Sequence, residues 1–231
     1  MDATTLMRLH VRALFTQDQQ GRLVTVNDPG RAPAPRFFLG RTAGENLCWI
    51  RHDVGASIAA QLQALCDAQP VDAEPEAEPA LTGAIIDCLS LERPVERVWC
   101  GPAYEFPPGR YADEAAVRIT QANANLLTPF LEEWREDAAA GVPMAASLHE
   151  GAAVSVCCSV RVTDKAHEAG VETHPDFRGR GHASRAVMAW ATAVRQLGCV
   201  PLYSTSWENL RSRALATRLG LIQFGADLHI T

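Results

Sequence analysis

The segment from Gly170 to Ala183, GVETHPDFRGRGHA, constrains this chain more than any other part of it. It begins as a short strand, Gly170 to Thr173, and breaks at a Pro turn over His174, Pro175 and Asp176. It then enters Arg178-Gly179-Arg180-Gly181-His182-Ala183 and a long helix expected over residues 179–197. A glycine-rich turn that opens a helix presents backbone N–H groups without intrahelical partners at the positive end of the helix dipole. Such a turn is an anion site, most often for phosphate. The arginines add mobile positive charge. Read by itself, the turn also fits a helix start with no ligand, so its surroundings have to decide.

A second strand–helix unit follows at Pro201 to Gly220. Leu202 to Ser206 reads as a strand, with Tyr203 and Thr205 favouring it. Asn209 suits a helix N-cap. Leu210, Ala214, Leu215 and Leu219 fall at helical spacing, Gly220 stops the helix, and Leu221 to Ile230 has strand character.

With both units in view, the chain resembles the GNAT superfamily of acyl-CoA-dependent N-acetyltransferases. The family signature Arg/Gln-x-x-Gly-x-Gly/Ala is matched by Arg178 to Ala183, and its second mark by Asn209, Ser212 and Leu219-Gly220, with Leu221 in the place of an aromatic. The resemblance covers roughly residues 142–231 and is similar to a bacterial branch with an extra N-terminal region. It implies an α+β (mixed α/β) GNAT fold, whose central mixed sheet is mainly antiparallel, plus an N-terminal α+β region. It also implies acetyl-CoA as cofactor, with the diphosphate on Arg178, Gly179, Arg180, Gly181, His182 and Ala183. Val171 and Thr173 would pair with the pantetheine arm, a backbone N–H near Ala169 or Gly170 would serve the thioester oxygen, and Asn209 and Ser212 would complete the cofactor set. Many family members carry a general-acid Tyr seven residues after the Asn, and that position here is Ala216. Tyr203, Ser204, Ser206 or water then remain for the acid step.

Acetylating an amine also needs a base. Glu168 and Glu172 lie four apart on the strand, on one face if the strand is regular. A bulge at Gly170 would turn Glu172 toward the acceptor and rank it ahead, with His174 next in line. The implied reaction moves an acetyl group to a primary amine of a small molecule by direct attack. A non-catalytic acyl-CoA-binding module is the alternative, favoured by Ala216. A nucleotide-binding domain using the same turn lacks a Walker lysine and an acidic ribose ligand.

Composition sets outer limits. A chain of 231 residues with a formal net charge of −6 is poorly suited to nucleic acid. The seven cysteines form no C-x-x-C pair and read as small buried hydrophobes of a reducing cytosol, which points to a cytoplasmic enzyme. The seven histidines show no metal spacing, and no apolar run reaches membrane length. A homodimer is compatible with all of this.

The first half reads as an amphipathic helix over residues 3–17, short strands at 21–26, 36–40 and 47–51, and a helix over 57–68. Residues 67–79 read as an exposed connector, and 81–89 and 95–99 fit either helix or strand. The Pro/Gly-rich stretch 101–111 is the expected border between an N-terminal region, 1–110, and a GNAT domain, 111–231. That domain is expected to begin with a helix over 113–138, with Leu126, Leu127, Phe130, Leu131 and Trp134 on its apolar face and Pro129 as a site for a kink, followed by a hairpin of 144–148 and 152–162.

Overall fold

A computed structural model describes residues 1–72, 78–109 and 116–231. In chain order the elements are α1 (Ala3–Leu14), β1 (Phe15–Gln17), β2 (Leu23–Val26), β3 (Phe37–Arg41), β4 (Asn46–Ile50), α2 (Ala56–Ala68), α3 (Thr82–Ser90) and β5 (Val98–Glu105). There follow β6 (Ala116–Arg118), α4 (Arg135–Ala140), β7 (Met144–His149), β8 (Ala152–Val162), β9 (Ala166–Thr173), α5 (His182–Gln196), β10 (Val200–Ser204), α6 (Leu210–Arg218) and β11 (Ile222–Ile230). The fold is mixed α/β, and its strands pair mainly antiparallel.

The chain forms two compact units. One comprises Met1–Glu105, Ser204–Arg213 and Ile222–Thr231, the other Phe106–Tyr203 and Ala214–Leu221. The break after Glu105 falls inside the Pro/Gly-rich stretch. The units interleave in sequence, where the linear division into 1–110 and 111–231 has them consecutive.

In the first unit the strand order is β4-β3-β11-β5. On one face, Ile58, Leu62 and Cys66 of α2 and Ile85 and Leu89 of α3 bury against Phe37, Leu39, Leu228 and Ile230. On the other, His10 of α1 and His229 of β11 each share a 2.9 Å hydrogen bond with Oδ2 of Asp227, which is fully buried. Burial alone pushes the Asp227 carboxyl up, but the positive fields and hydrogen bonds of His229 and His10 more than reverse this. They hold it well below the usual carboxylate range.

In the second unit the order is β10-β9-β8-β7-β6, with β9 and β10 parallel. Ala186, Val187, Trp190, Ala191 and Val194 make one fully buried stripe of α5, at the spacing of a helix that lies on a sheet. The opposite face of this sheet is covered by the segment 121–140.

That segment is not the long helix expected over 113–138. Residues 113–115 lie outside the described part, and 116–118 are strand β6. Beyond it come two separate 3₁₀ turns, Gln121–Leu126 and Pro129–Trp134, and only then α4. Thr120 and Asn123 cap the first turn reciprocally, and Pro129 starts the second. Asn123 (φ −126°) and Leu131 (φ −107°) leave helical geometry, which breaks any continuous ladder. The hairpin of β7 and β8 turns at Glu150 (φ +50°) and Gly151 (φ +81°). Of the residues that fit either state, 82–90 are helical and 98–105 extended.

Candidate active site: the open edge of β9 and the turn into α5

β9 is paired along its whole length on one side only. β8 matches it from Val162↔His167 to Ser155↔Thr173, whereas β10 matches it over just three residues, ending at Glu168↔Leu202. From Gly170 to Thr173 the second edge stands open, over about 10 Å at ~3.3 Å per residue. Burial falls at the same point, from Ala166, His167 and Glu168 to half-buried residues beyond.

Antiparallel pairing fixes which amides face the open side. His174 N donates to Val154 O at 2.9 Å, so residue 174 directs its backbone groups at β8. Direction alternates along a strand, so Glu172 and Gly170 also face β8, and Ala169, Val171 and Thr173 face away from it. The Thr173 carbonyl agrees, because it accepts from Arg178 Nε at 3.2 Å. Val171 and Thr173 thus present the backbone groups that sequence assigned to the pantetheine arm. Of the two amides considered for the thioester oxygen, neither is open: Gly170 faces β8, and Ala169 faces β10, where the parallel Glu168↔Leu202 pairing engages its N–H.

The strand leads directly into the glycine turn. Gly179 (φ +75°) and Gly181 (φ +83°) lie in the left-handed region, where other side chains are strained. α5 starts at His182, three residues later than expected, with Gly181 as its N-cap. Its first bond runs from Arg185 N to Gly181 O (3.2 Å), which leaves the amides of His182, Ala183 and Ser184 at the open helix end. Among the described residues, the buried Ser184 Oγ has no hydrogen-bond partner. Arg178 is anchored on the strand by its bond to Thr173 rather than mobile, and Arg180 lies 5.5 Å from the centre of the Phe177 ring. These features fit the diphosphate of CoA: open amides, positive charge and an unpartnered hydroxyl at a helix N-terminus.

His182 itself turns inward. Its Nδ1 shares a 2.9 Å hydrogen bond with Ser147 Oγ of β7. Burial first, then the fields of Arg185, His149 and Arg180, push it below the usual histidine value, so the imidazole is neutral at pH 7.

The carboxylates divide. Glu168 is 2% exposed and sits at the last residue paired with β10, whereas Glu172 is half-buried on the open stretch. Trp134 Nε1 donates to Glu172 Oε2 at 2.6 Å. No bulge occurs at Gly170. The register shift lies on β8 between Ser159 and Arg161, so β9 stays regular and Glu168, Gly170 and Glu172 share one face. A Cβ built on Gly170 would come 3.1 Å from Trp134 Cη2, which places the indole over that face.

Tyr203 is 3% exposed and immediately follows the last β10 residue paired with β9. Asn209 accepts from Ser212 N at 3.1 Å, the capping bond expected at the start of α6. Ala216, in the place of the family's Tyr, is fully buried. Sequence reasoning missed Trp134, which passed for one of the apolar residues of a helix. An indole inside Glu-Glu-Trp-Arg-Glu-Asp, mostly charged neighbours, was the available signal.

Residues 125–225 match the family model described as GNAT acetyltransferase. Over that span the chain carries a GNAT acetyltransferase domain. A GCN5-related N-acetyltransferase-like protein from Streptococcus suis is 18% identical, with 99% of this chain and 100% of that one covered at a TM-score of 0.50. A GNAT-family protein from Novosphingobium aromaticivorans is 19% identical, over 59% of this chain and 65% of that one, with a TM-score of 0.49. An aminoglycoside N-acetyltransferase solved in complex with CoA is 20% identical, over 47% of this chain and 92% of that one, with a TM-score of 0.38. At these identities the likeness concerns the fold. No curated protein matches the chain. Among the described residues no helix is long and apolar enough to cross a membrane, and no group of three or more His, Cys, Asp or Glu side chains could hold a metal ion.

Proposed function

We propose that this GNAT protein transfers an acetyl group from acetyl-CoA to a primary amine of a small molecule, by direct attack with Glu172 as the base. The observation that carries this is the open edge of β9 running straight into the glycine turn, with a carboxylate on that same open stretch. Acetyl-CoA supplies the activated acetyl group. The amides of Val171 and Thr173 pair with its extended arm, and the turn from Arg178 to Ala183 holds its diphosphate. Asn209 and Ser212 are assigned to the cofactor on the family resemblance alone.

A primary ammonium has a pKa of about 10, so at neutral pH the acceptor must lose a proton before it attacks. Glu172 receives that proton directly or through water, and the enclosed Glu168 stands behind it as second candidate. Tyr203, where β10 parts from β9, is the proposed donor to the leaving thiolate. A non-catalytic acyl-CoA-binding module would have no use for a carboxylate held beside the open edge.

CoA release measured with a panel of amines tests the assignment. Glu172→Gln should lower the rate about 10²–10⁴-fold and leave acetyl-CoA affinity nearly unchanged. Wild-type rates in Glu172→Gln, Glu168→Gln and the double variant across acidic to alkaline pH would refute both carboxylates and move attention to His174.

A further inference from the structure

We propose that Trp134 is a positioning residue that fixes the Glu172 carboxylate for proton transfer. The proposal rests on Glu172 being the base. Trp134 ends the 3₁₀ turn Pro129–Trp134, remote in sequence from β9, yet its indole meets that strand twice. Its Nε1 donates to Glu172 Oε2 at 2.6 Å, and its Cη2 lies 3.1 Å from where a Gly170 Cβ would stand. Gly170 is therefore what lets the ring lie over β9. A methyl group there would press on the ring edge and make it give by a few tenths of an ångström.

The hydrogen bond is of the charge-assisted kind, about twice as strong as one between neutral groups. It also addresses a specific problem. The terminal torsion of a glutamate is broad, so an unheld carboxylate sweeps through many orientations. Binding Oε2 to a rigid ring stops that rotation. Among the described residues Oε1 accepts no hydrogen bond, so it remains the oxygen able to take a proton. One oxygen is held and the other is free. Two further features keep the arrangement in place. Leu131, in the same turn as Trp134, is fully buried in the core beneath, and Arg135 binds the Leu127 carbonyl at 3.2 Å at the start of α4.

Kinetics of four proteins test this: wild type, Trp134→Phe, Glu172→Gln and the double variant. Phe keeps a ring over Gly170 and lacks the N–H. Should Trp134→Phe fold poorly, a benzothienylalanine at position 134, with sulfur in place of N–H, preserves the indole shape. The expected result is a fall in kcat of about 10- to 10²-fold for loss of orientation, with KM for acetyl-CoA unchanged. Neither substitution at 134 should lower the rate further in the Glu172→Gln background. Normal kcat in Trp134→Phe, beside a slow Glu172→Gln, overturns the positioning role and leaves the base in place. Equal losses with and without Glu172 reduce Trp134 to packing and also overturn it. Wild-type rates in Glu172→Gln remove the base, and the proposal falls with it.

Discussion

Gly170→Ala tests the packing on which the site depends. An added Cβ would collide with Val160 Cγ1 on β8 and stand 3.1 Å from Trp134 Cη2. The backbone offers no relief, because residue 170 is held in register with Cys158. Overfilling a packed site costs about 1–3 kcal/mol. Against this, replacing glycine within a strand recovers about 0.5–1 kcal/mol of backbone entropy. The net expected loss is about 1–2 kcal/mol, read as a lower urea midpoint at unchanged slope. The obstruction is mainly one methyl group, so removing it should abolish most of the effect. In a Val160→Ala background, Gly170→Ala should be neutral or slightly stabilising, which gives a coupling of about 1–2 kcal/mol between residues in contact. A neutral Gly170→Ala, or an equal loss in both backgrounds, would refute the packing argument.

Gly181 has open space around its absent side chain, so only its φ of +83° requires glycine in the protein itself. Asn tolerates that conformation better than β-branched residues do. Gly181→Asn should therefore fold normally and weaken acetyl-CoA binding more than tenfold by calorimetry, and unchanged affinity would remove the turn as the diphosphate site. Asp227→Asn should lower stability by about 3 kcal/mol at pH 7, since it takes away a buried charge that two histidines face. The pH dependence has a definite sign. The folded Asp227 carboxyl is depressed, so its contribution is complete above the unfolded value of about 3.9 and is lost as pH falls below it. Urea titrations from pH 7 to 3 should show the onset of that loss in wild type and a flatter profile in Asp227→Asn.

The strand–turn–helix of β9 and α5 was legible because its signals are local. Gly179 and Gly181 take positive φ, Pro175 opens the intervening turn, and one stripe of α5 is apolar. The segment 121–140 misled for an equally local reason. Leu126, Leu127, Phe130, Leu131 and Trp134 recur at three- and four-residue spacing, which two 3₁₀ turns in succession produce as readily as one helix. Thr120 and Thr128-Pro129 were the signals that the stretch stops and restarts. β5 illustrates a tertiary cause. Gly101 and Pro102 look like loop residues, but the Thr205 backbone packs where a Gly101 Cβ would be, and Pro102 O accepts from Thr205 N at 3.3 Å. At the site, the two acids of β9 were visible in sequence. The indole that holds one of them, and the pairing that leaves the Val171 and Thr173 amides outward, depend on partners far along the chain.

An unpaired strand edge is ordinarily a liability, so β9 needs a reason to stay open. The register supplies one. Val160 is an extra residue on β8, placed between Ser159↔Ala169 and Arg161↔Glu168. On the other side of β9, pairing with β10 ends at Glu168. The bulge and the parting of the strands thus share one level of the sheet. A bulge adds right-handed twist where it sits, and twist imposed on β9 by one neighbour swings its far end away from the other. The bulged residue also has to fit: the Val160 side chain reaches across to Gly170, the one β9 position with no side chain to obstruct it. A single insertion on β8 therefore exposes the edge suited to the arm of CoA and selects the glycine over which Trp134 reaches Glu172.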